Sequence, residues 1–155
     1  MIPSIDTSTK RVVGKKLLLL GVGGMGMAPL AGWLSRSGYE IIGHDSCFNE
    51  PVRQFLLKQG VQLRDFVFIE DLDTISAVVY SSAINRAHPL LREAERRGLS
   101  CLRRGEMLAQ IASGKKLIAI VGSHGKTTTT GMLIHAWNMN PVKINYILGG
   151  FLHPP

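Results

Sequence analysis

Four consecutive leucines, Leu17 to Leu20, set the strongest limit on what this chain can fold into. A strand with one face in water alternates apolar and polar residues. An unbroken apolar run instead suits a strand buried on both faces, as in the centre of a parallel sheet covered by helices on either side. The run feeds into Gly21-Val22-Gly23-Gly24-Met25-Gly26, and a helix is expected from about Met27 to Ser35, closed at Ser37-Gly38 with Gly38 as its cap. A second strand over residues 40–44 ends on Asp45. A glycine turn between strand and helix, with an acid closing the next strand about 20 residues later, is the dinucleotide-type arrangement: backbone amides of the turn take a diphosphate and the acid takes ribose hydroxyls. A purely structural glycine turn competes with this reading, and the position of Asp45 weighs against it.

The junction recurs later in the chain. The apolar run Leu117-Ile118-Ala119-Ile120-Val121 reads as a buried strand, followed by Gly122-Ser123-His124-Gly125-Lys126-Thr127-Thr128 and then by Met132, Leu133 and Ala136 at helical spacing. Strand, glycine loop and helix opening on Lys-Thr is the setting of a phosphate loop. Its amides converge on phosphate oxygens, Lys126 reaches the β/γ-phosphates, and the Thr127 hydroxyl is placed to bind Mg²⁺. The usual pattern has a further glycine five residues before Gly125, where this chain has Ile120, so the loop is a shortened Gly-x-x-Gly-Lys-Thr.

Between the two junctions the chain reads as repeated βα units. Asn49-Glu50-Pro51 is a helix start, with Asn49 as cap, and Gly60 stops that helix after Lys58. Residues 75–80 read as a strand with Ser81-Ser82-Ala83-Ile84 at its C-terminal end, the edge where doubly wound sheets bind ligands. A helix from Pro89 to Arg97 and a short strand over residues 99–102 lead to Arg103-Arg104-Gly105-Glu106-Met107-Leu108. The paired arginines suit either a solvated rim or a clamp on phosphate or carboxylate. Residues 144–148 read as one more strand, ending in Gly149-Gly150. The expected organisation is a loose arm over residues 1–15, a Rossmann-like α/β domain with helices on both faces of a parallel sheet over 16–113, and the first strand, phosphate loop and helix of a second α/β domain over 114–155. A phosphate-loop domain needs further strands and acidic metal ligands beyond these, so the chain is expected to be a fragment.

Composition removes several function classes. At 45% hydrophobic and 19% charged residues the chain is globular rather than disordered. Its formal charge of +7 suits an anionic partner, but the basic residues are dispersed, few aromatics interleave with them, and no nucleic-acid-binding signature is present. No nucleic-acid partner is expected. The two cysteines, Cys47 and Cys101, stand far apart and suggest reduced, structural thiols in a cytoplasmic protein rather than a metal site. Residues 17–34 carry no charge, yet five glycines and Pro29 within them fit a turn into a packed helix better than a membrane span.

Taken together and in order, these motifs resemble the Mur ligases: Gly21 to Met27, Gly43-His44-Asp45, Tyr80 to Ile84, Arg103 to Leu108, and Gly122 to Thr129. Within them the likeness is to the branch that joins L-alanine to UDP-N-acetylmuramate. The resemblance runs from about Lys16 to Gly150. It implies a cytoplasmic, three-domain, ATP- and Mg²⁺-dependent ligase of peptidoglycan synthesis, of which this chain would carry the UDP-binding part and the start of the ATPase domain. By the same resemblance Gly23, Gly24, Met25 and Gly26 would hold the UDP diphosphate and Asp45 would face the ribose. Ser81, Ser82 and Ala83 would line that pocket, with Arg103 beside it. Gly122, Ser123, His124, Gly125, Lys126, Thr127 and Thr128 would hold ATP, with Lys126 and Thr127 the catalytic pair and Thr127 on the metal. Ser123 stands where Thr is more usual, and His88-Pro89 where Asn-Pro is. A related branch that recycles murein tripeptide shares the architecture. An NAD-dependent dehydrogenase module would explain the first loop but not Gly125-Lys126-Thr127, and a phosphate-loop kinase or GTPase would explain the second loop but not the first.

Overall fold

A computed structural model describes residues 14–141 and 144–150; the expected N-terminal arm lies almost wholly outside them. The described residues form five parallel strands, β1 (Lys16–Leu20), β2 (Glu40–His44), β3 (Gln62–Arg64), β4 (Ala77–Tyr80) and β5 (Ser100–Arg103). The helices are α1 (Met27–Arg36), α2 (Glu50–Lys58), α3 (Pro89–Arg96), α4 (Arg104–Ala112) and α5 (Lys126–Asn138), with a 3-10 turn at Ile69–Thr74. Strand order is β3-β2-β1-β4-β5, the Rossmann order, in which the chain winds outward from β1 and then returns to its other side.

The leucine run behaves as its pattern requires. Leu17 and Leu19 join α1, α2 and α4 residues in one apolar layer, whereas Leu18 and Leu20 join Leu90, Leu91 and Ala94 of α3 in the other. All four are fully buried, because helices cover the sheet on both faces. Pairing is in register from Lys16–Glu40 to Leu20–His44 on one side of β1 and from Leu17–Ala77 to Leu20–Tyr80 on the other. The C-terminal ends of β1, β2 and β4 therefore lie side by side. The order reverses between β1 and β4, and that is where an open α/β sheet has its ligand crevice.

Helix boundaries follow local chemistry. Gly38 and Gly60, with φ of +90° and +77°, end α1 and α2 in the left-handed region open to glycine. Asn49 is the N-cap of α2 by position, but its side chain makes no capping hydrogen bond, and Pro51 occupies the second helical position. Helix α4 and the short strand β3 were not evident in the apolar pattern: α4 buries only Met107 fully, and β3 buries none of its three residues fully.

Two expected strands are absent among the described residues. Residues 117–121 and 144–148 adopt no strand, and Leu117, Ile118 and Val121 are exposed, Val121 at 86%. A buried parallel strand exists only by hydrogen bonding to neighbours and by cover on its faces. No described strand runs beside residues 117–121, so their apolarity finds nothing to pack against. The 144–150 segment instead packs on the sheet's helical cover, with Ile147 against the α1 layer and Leu148 buried.

Candidate functional site

The glycine loop after β1 is tied down from below. Gly21 N–H donates to His44 O at 2.9 Å, extending the sheet pairing by one residue, and Gly24 N–H donates back to Gly21 O at 3.3 Å. Asp45 accepts the Gly23 N–H at 2.8 Å through one carboxylate oxygen and the Cys47 N–H at 3.3 Å through the other. Asp45 is thus in position at the end of β2, but in this structure its carboxylate latches the loop. Of the four loop residues expected to face a diphosphate, Gly23 and Gly24 spend their amides on the loop itself. The Met25 and Gly26 amides have no acceptor among the described hydrogen bonds.

Steric surroundings separate the glycines further. A Cβ on Gly23 would lie 2.8 Å from Cys47 O and 3.0 Å from the Asp45 carboxylate, so the fold itself excludes a side chain there. A Cβ on Gly24 would meet only Gly21 O, at 3.5 Å, an ordinary contact. The fold does not require a glycine at position 24, whereas a ligand approaching the backbone would. At Gly26 the space is taken by Arg104, whose Cζ would stand 2.9 Å from a Cβ at that position. Ser81 abuts Gly21 from the β4 side, its Cβ 2.8 Å from where a Cβ of Gly21 would be, and its hydroxyl accepts the Ala83 N–H at 3.3 Å. Ser82 and Ala83 are exposed beside it. Gly23, Gly24, Met25, Gly26, Asp45 and Ser81 are therefore gathered at the switch point between β1 and β4.

The arginine pair divides at the start of α4. Leu102 faces the α1 layer and Cys101 the α3 layer, so strand alternation sends Arg103 toward the α3 side, while its N–H donates to Glu106 at 2.6 Å. Arg104 opens the helix on the α1 side and lies against Gly26. The resemblance points to Arg103 of this pair, and the structure sets Arg104 against Gly26. The signal that separates them is the side-chain period of two along β5.

Two histidines face the same sheet edge. His44 Nδ1 lies 3.0 Å from Arg64 O, and His88 Nδ1 is buried without a partner. Burial, and to a lesser degree the neighbouring His44, hold the His88 pKa below its ordinary value.

The second loop has its expected local form without its expected strand. Gly125, at φ +75°, turns the chain into α5 as its N-cap, and Lys126 folds its ammonium over the loop, donating to Gly122 O at 2.6 Å and to Ser123 O at 2.9 Å. Ser123, His124, Thr127 and Thr128 are exposed. A lysine held over the mouth of a loop that opens a helix fits the phosphates of a nucleotide. For a divalent metal, Thr127 offers one hydroxyl, and no cluster of three His, Cys, Asp or Glu suited to a metal occurs among the described residues.

The two loops meet through Gly149 and Gly150. A Cβ on Gly149 would lie 3.7 Å from Met25 O, and one on Gly150 would lie 3.0 Å from the Thr127 methyl. Lys115 also stacks its ammonium over Trp33 of α1, 5.1 Å from the ring centre, at the passage from one part to the other.

UDP-N-acetylmuramate–L-alanine ligase of Aquifex aeolicus is 40% identical over 139 residues, covering 89% of this chain and 30% of that protein. The enzyme of the same name from Methylorubrum extorquens is 40% identical over 139 residues, covering 86% and 28%. The chain thus spans less than a third of the length of these relatives. Among solved structures, the murein peptide ligase of Psychrobacter arcticus superposes with a TM-score of 0.73 at 28% identity, over 81% of this chain and 26% of that one. UDP-N-acetylmuramate-alanine ligase of Thermotoga maritima superposes with a TM-score of 0.72 at 23% identity, over 81% and 29%, and shows the same fold. No described helix is long and apolar enough to cross a membrane. The family described as "Mur ligase family, catalytic domain" matches residues 17–116, and with that match over most of the chain the protein belongs to the Mur ligase family.

Proposed function

We propose that this chain is the UDP-substrate-binding part, with the opening phosphate loop of the ATP-binding part, of a UDP-N-acetylmuramate–L-alanine ligase acting in cytoplasmic peptidoglycan precursor synthesis. The observation that carries the reading is the meeting of the two glycine loops across Gly149 and Gly150, within a chain 40% identical to ligases of that name. The division is residues 16–113 for the UDP substrate and 114–155 for ATP, with Gly114 in a left-handed turn at the boundary.

In the proposed reaction a carboxylate oxygen of UDP-N-acetylmuramate attacks the γ-phosphorus of ATP and ADP leaves. The amine of L-alanine then attacks the acyl carbon, phosphate departs, and the new amide nitrogen loses its proton. The glycine loop, Asp45 and Ser81 hold the UDP end, and Ser82 and Ala83 extend the same wall. The loop from Gly122 to Thr128 holds the ATP phosphates. Lys126, released from its loop carbonyls, offsets negative charge developing on the phosphoryl oxygens. Thr127 would contribute one ligand to Mg²⁺, which when bound adds further charge neutralisation to the same oxygens. The murein-tripeptide reading rests on the superposition with murein peptide ligase, and the greater identity to L-alanine ligases favours the first.

Calorimetric titration of the chain with UDP and with NAD tests the proposal. UDP is expected to bind the more tightly; tighter binding of NAD would sink the ligase reading. With ATP, Mg²⁺, UDP-N-acetylmuramate and L-alanine present, this chain is expected to release no phosphate, since the described residues hold no acidic metal cluster. Phosphate release abolished by Lys126→Ala would overturn that expectation.

A further inference from the structure

We propose that Arg104 is the second jaw of the diphosphate clamp, gripping from the α4 side the anion that the glycine loop holds from the α1 side. This deepens the function proposed above and rests on it.

Three observations on separate elements converge. The guanidinium of Arg104 fills the space that Gly26 leaves open, so this exposed arginine has one side against the loop and the other open to solvent. Gly26 is the N-cap of α1, a helix end with partial positive charge and no acidic residue in its first turn, and the Met25 and Gly26 amides have no acceptor among the described hydrogen bonds. Arg104 itself is paired with no carboxylate among the described ion pairs. The neighbouring acids are committed elsewhere: Glu106 to the Arg103 N–H, and Asp45 to the Gly23 and Cys47 amides.

The other structured arginines near acids behave differently. Arg64 pairs with Asp71 at 2.7 Å, and Arg96 and Arg97 both pair with Glu93 at 2.7 Å. Arg104 instead sets a full positive charge beside a positively polarised helix end, an arrangement that is unfavourable until an anion enters between them. A planar fork of N–H donors beside two amides that have no acceptor among the described hydrogen bonds suits two oxygens of a diphosphate. Only Arg104 of the pair is so placed, because strand alternation directs Arg103 to the other face.

The test is titration of the chain and its variants with UDP and with uridine, which lacks the diphosphate. Arg104→Ala is expected to weaken UDP binding at least tenfold and leave uridine binding unchanged, while Arg103→Ala changes UDP binding less than threefold. Arg104→Lys, which keeps the charge but loses the fork, should fall between wild type and alanine. It also serves if the alanine variant loses its thermal unfolding transition. Unchanged UDP affinity in Arg104→Ala, or equal loss of UDP and uridine, would overturn the clamp. Failure of the wild-type chain to bind UDP would instead remove the substrate reading on which the clamp depends.

Discussion

Gly23 and Gly24 are adjacent and identical in type, yet they serve opposite masters. Gly23 is a glycine for the fold, because a methyl there would strike Cys47 O and part the amide from Asp45. Gly24 has room for a methyl, so its bareness is of use only to something that comes from outside. Gly24→Val is therefore expected to unfold at about the wild-type temperature and to bind no UDP, since a side chain there blocks close approach to the backbone. Gly23→Ala should lower the melting temperature by several degrees, about what the loss of 1 to 2 kcal/mol produces in a domain this size. Equal melting temperatures for the two variants would contradict the assignment. The sequence made both glycines candidates through the motif, and it placed Asp45 correctly at the end of β2. It could not reveal that the Asp45 carboxylate is engaged by Gly23, or that Arg104 lies on the loop. Both facts depend on how separate elements stack at the sheet edge.

Among the elements, legibility followed burial. β1 and β2 were readable almost to the residue, because a strand covered on both faces writes its burial into every position and glycines mark the ends of the helices that follow. β3, at the edge and at most half-buried, wrote almost nothing. Residues 117–121 carry the strand pattern in full and form none here, since apolar composition describes what a segment needs, and the neighbours must supply it. Helix α3 illustrates an element held partly by charge: Glu93 accepts from both Arg96 and Arg97, and these bonds, with Arg96 the larger cause, bring its pKa down to about 2. A carboxylate with a lowered pKa stabilises the fold above its ordinary value of 4.5 and loses that contribution as pH falls from there toward about 2. The wild-type chain should therefore lose more thermal stability between pH 5 and about 2.5 than Glu93→Gln, followed by circular dichroism. Parallel pH curves would refute this role for the cluster.

On the scale of the whole molecule, the parallel α/β class and the position of both loops along the chain came from pattern, whereas the strand order and the way the second loop leans on the first did not. That lean depends on residues 144–150 lying across α1 as packing rather than as a strand. A side chain on Gly149 would reach the backbone of Met25, and one on Gly150 would crowd the Thr127 methyl. On the proposed function, two ligand sites share one short wall, and they cannot be filled independently if either ligand shifts that wall. The resulting coupling is reciprocal by thermodynamic necessity, so UDP must change the dissociation constant of ATP by the same factor that ATP changes that of UDP. A factor of about five or more is expected in this chain, at the low end of typical coupling energies. Gly150→Val, which crowds the Thr127 methyl, should reset the factor while leaving UDP affinity without ATP close to wild type. A factor of one in the unaltered chain would mean that the shared wall is rigid. If both loops hold the ligands proposed for them, Gly149 and Gly150 are the place where the state of one site becomes information for the other.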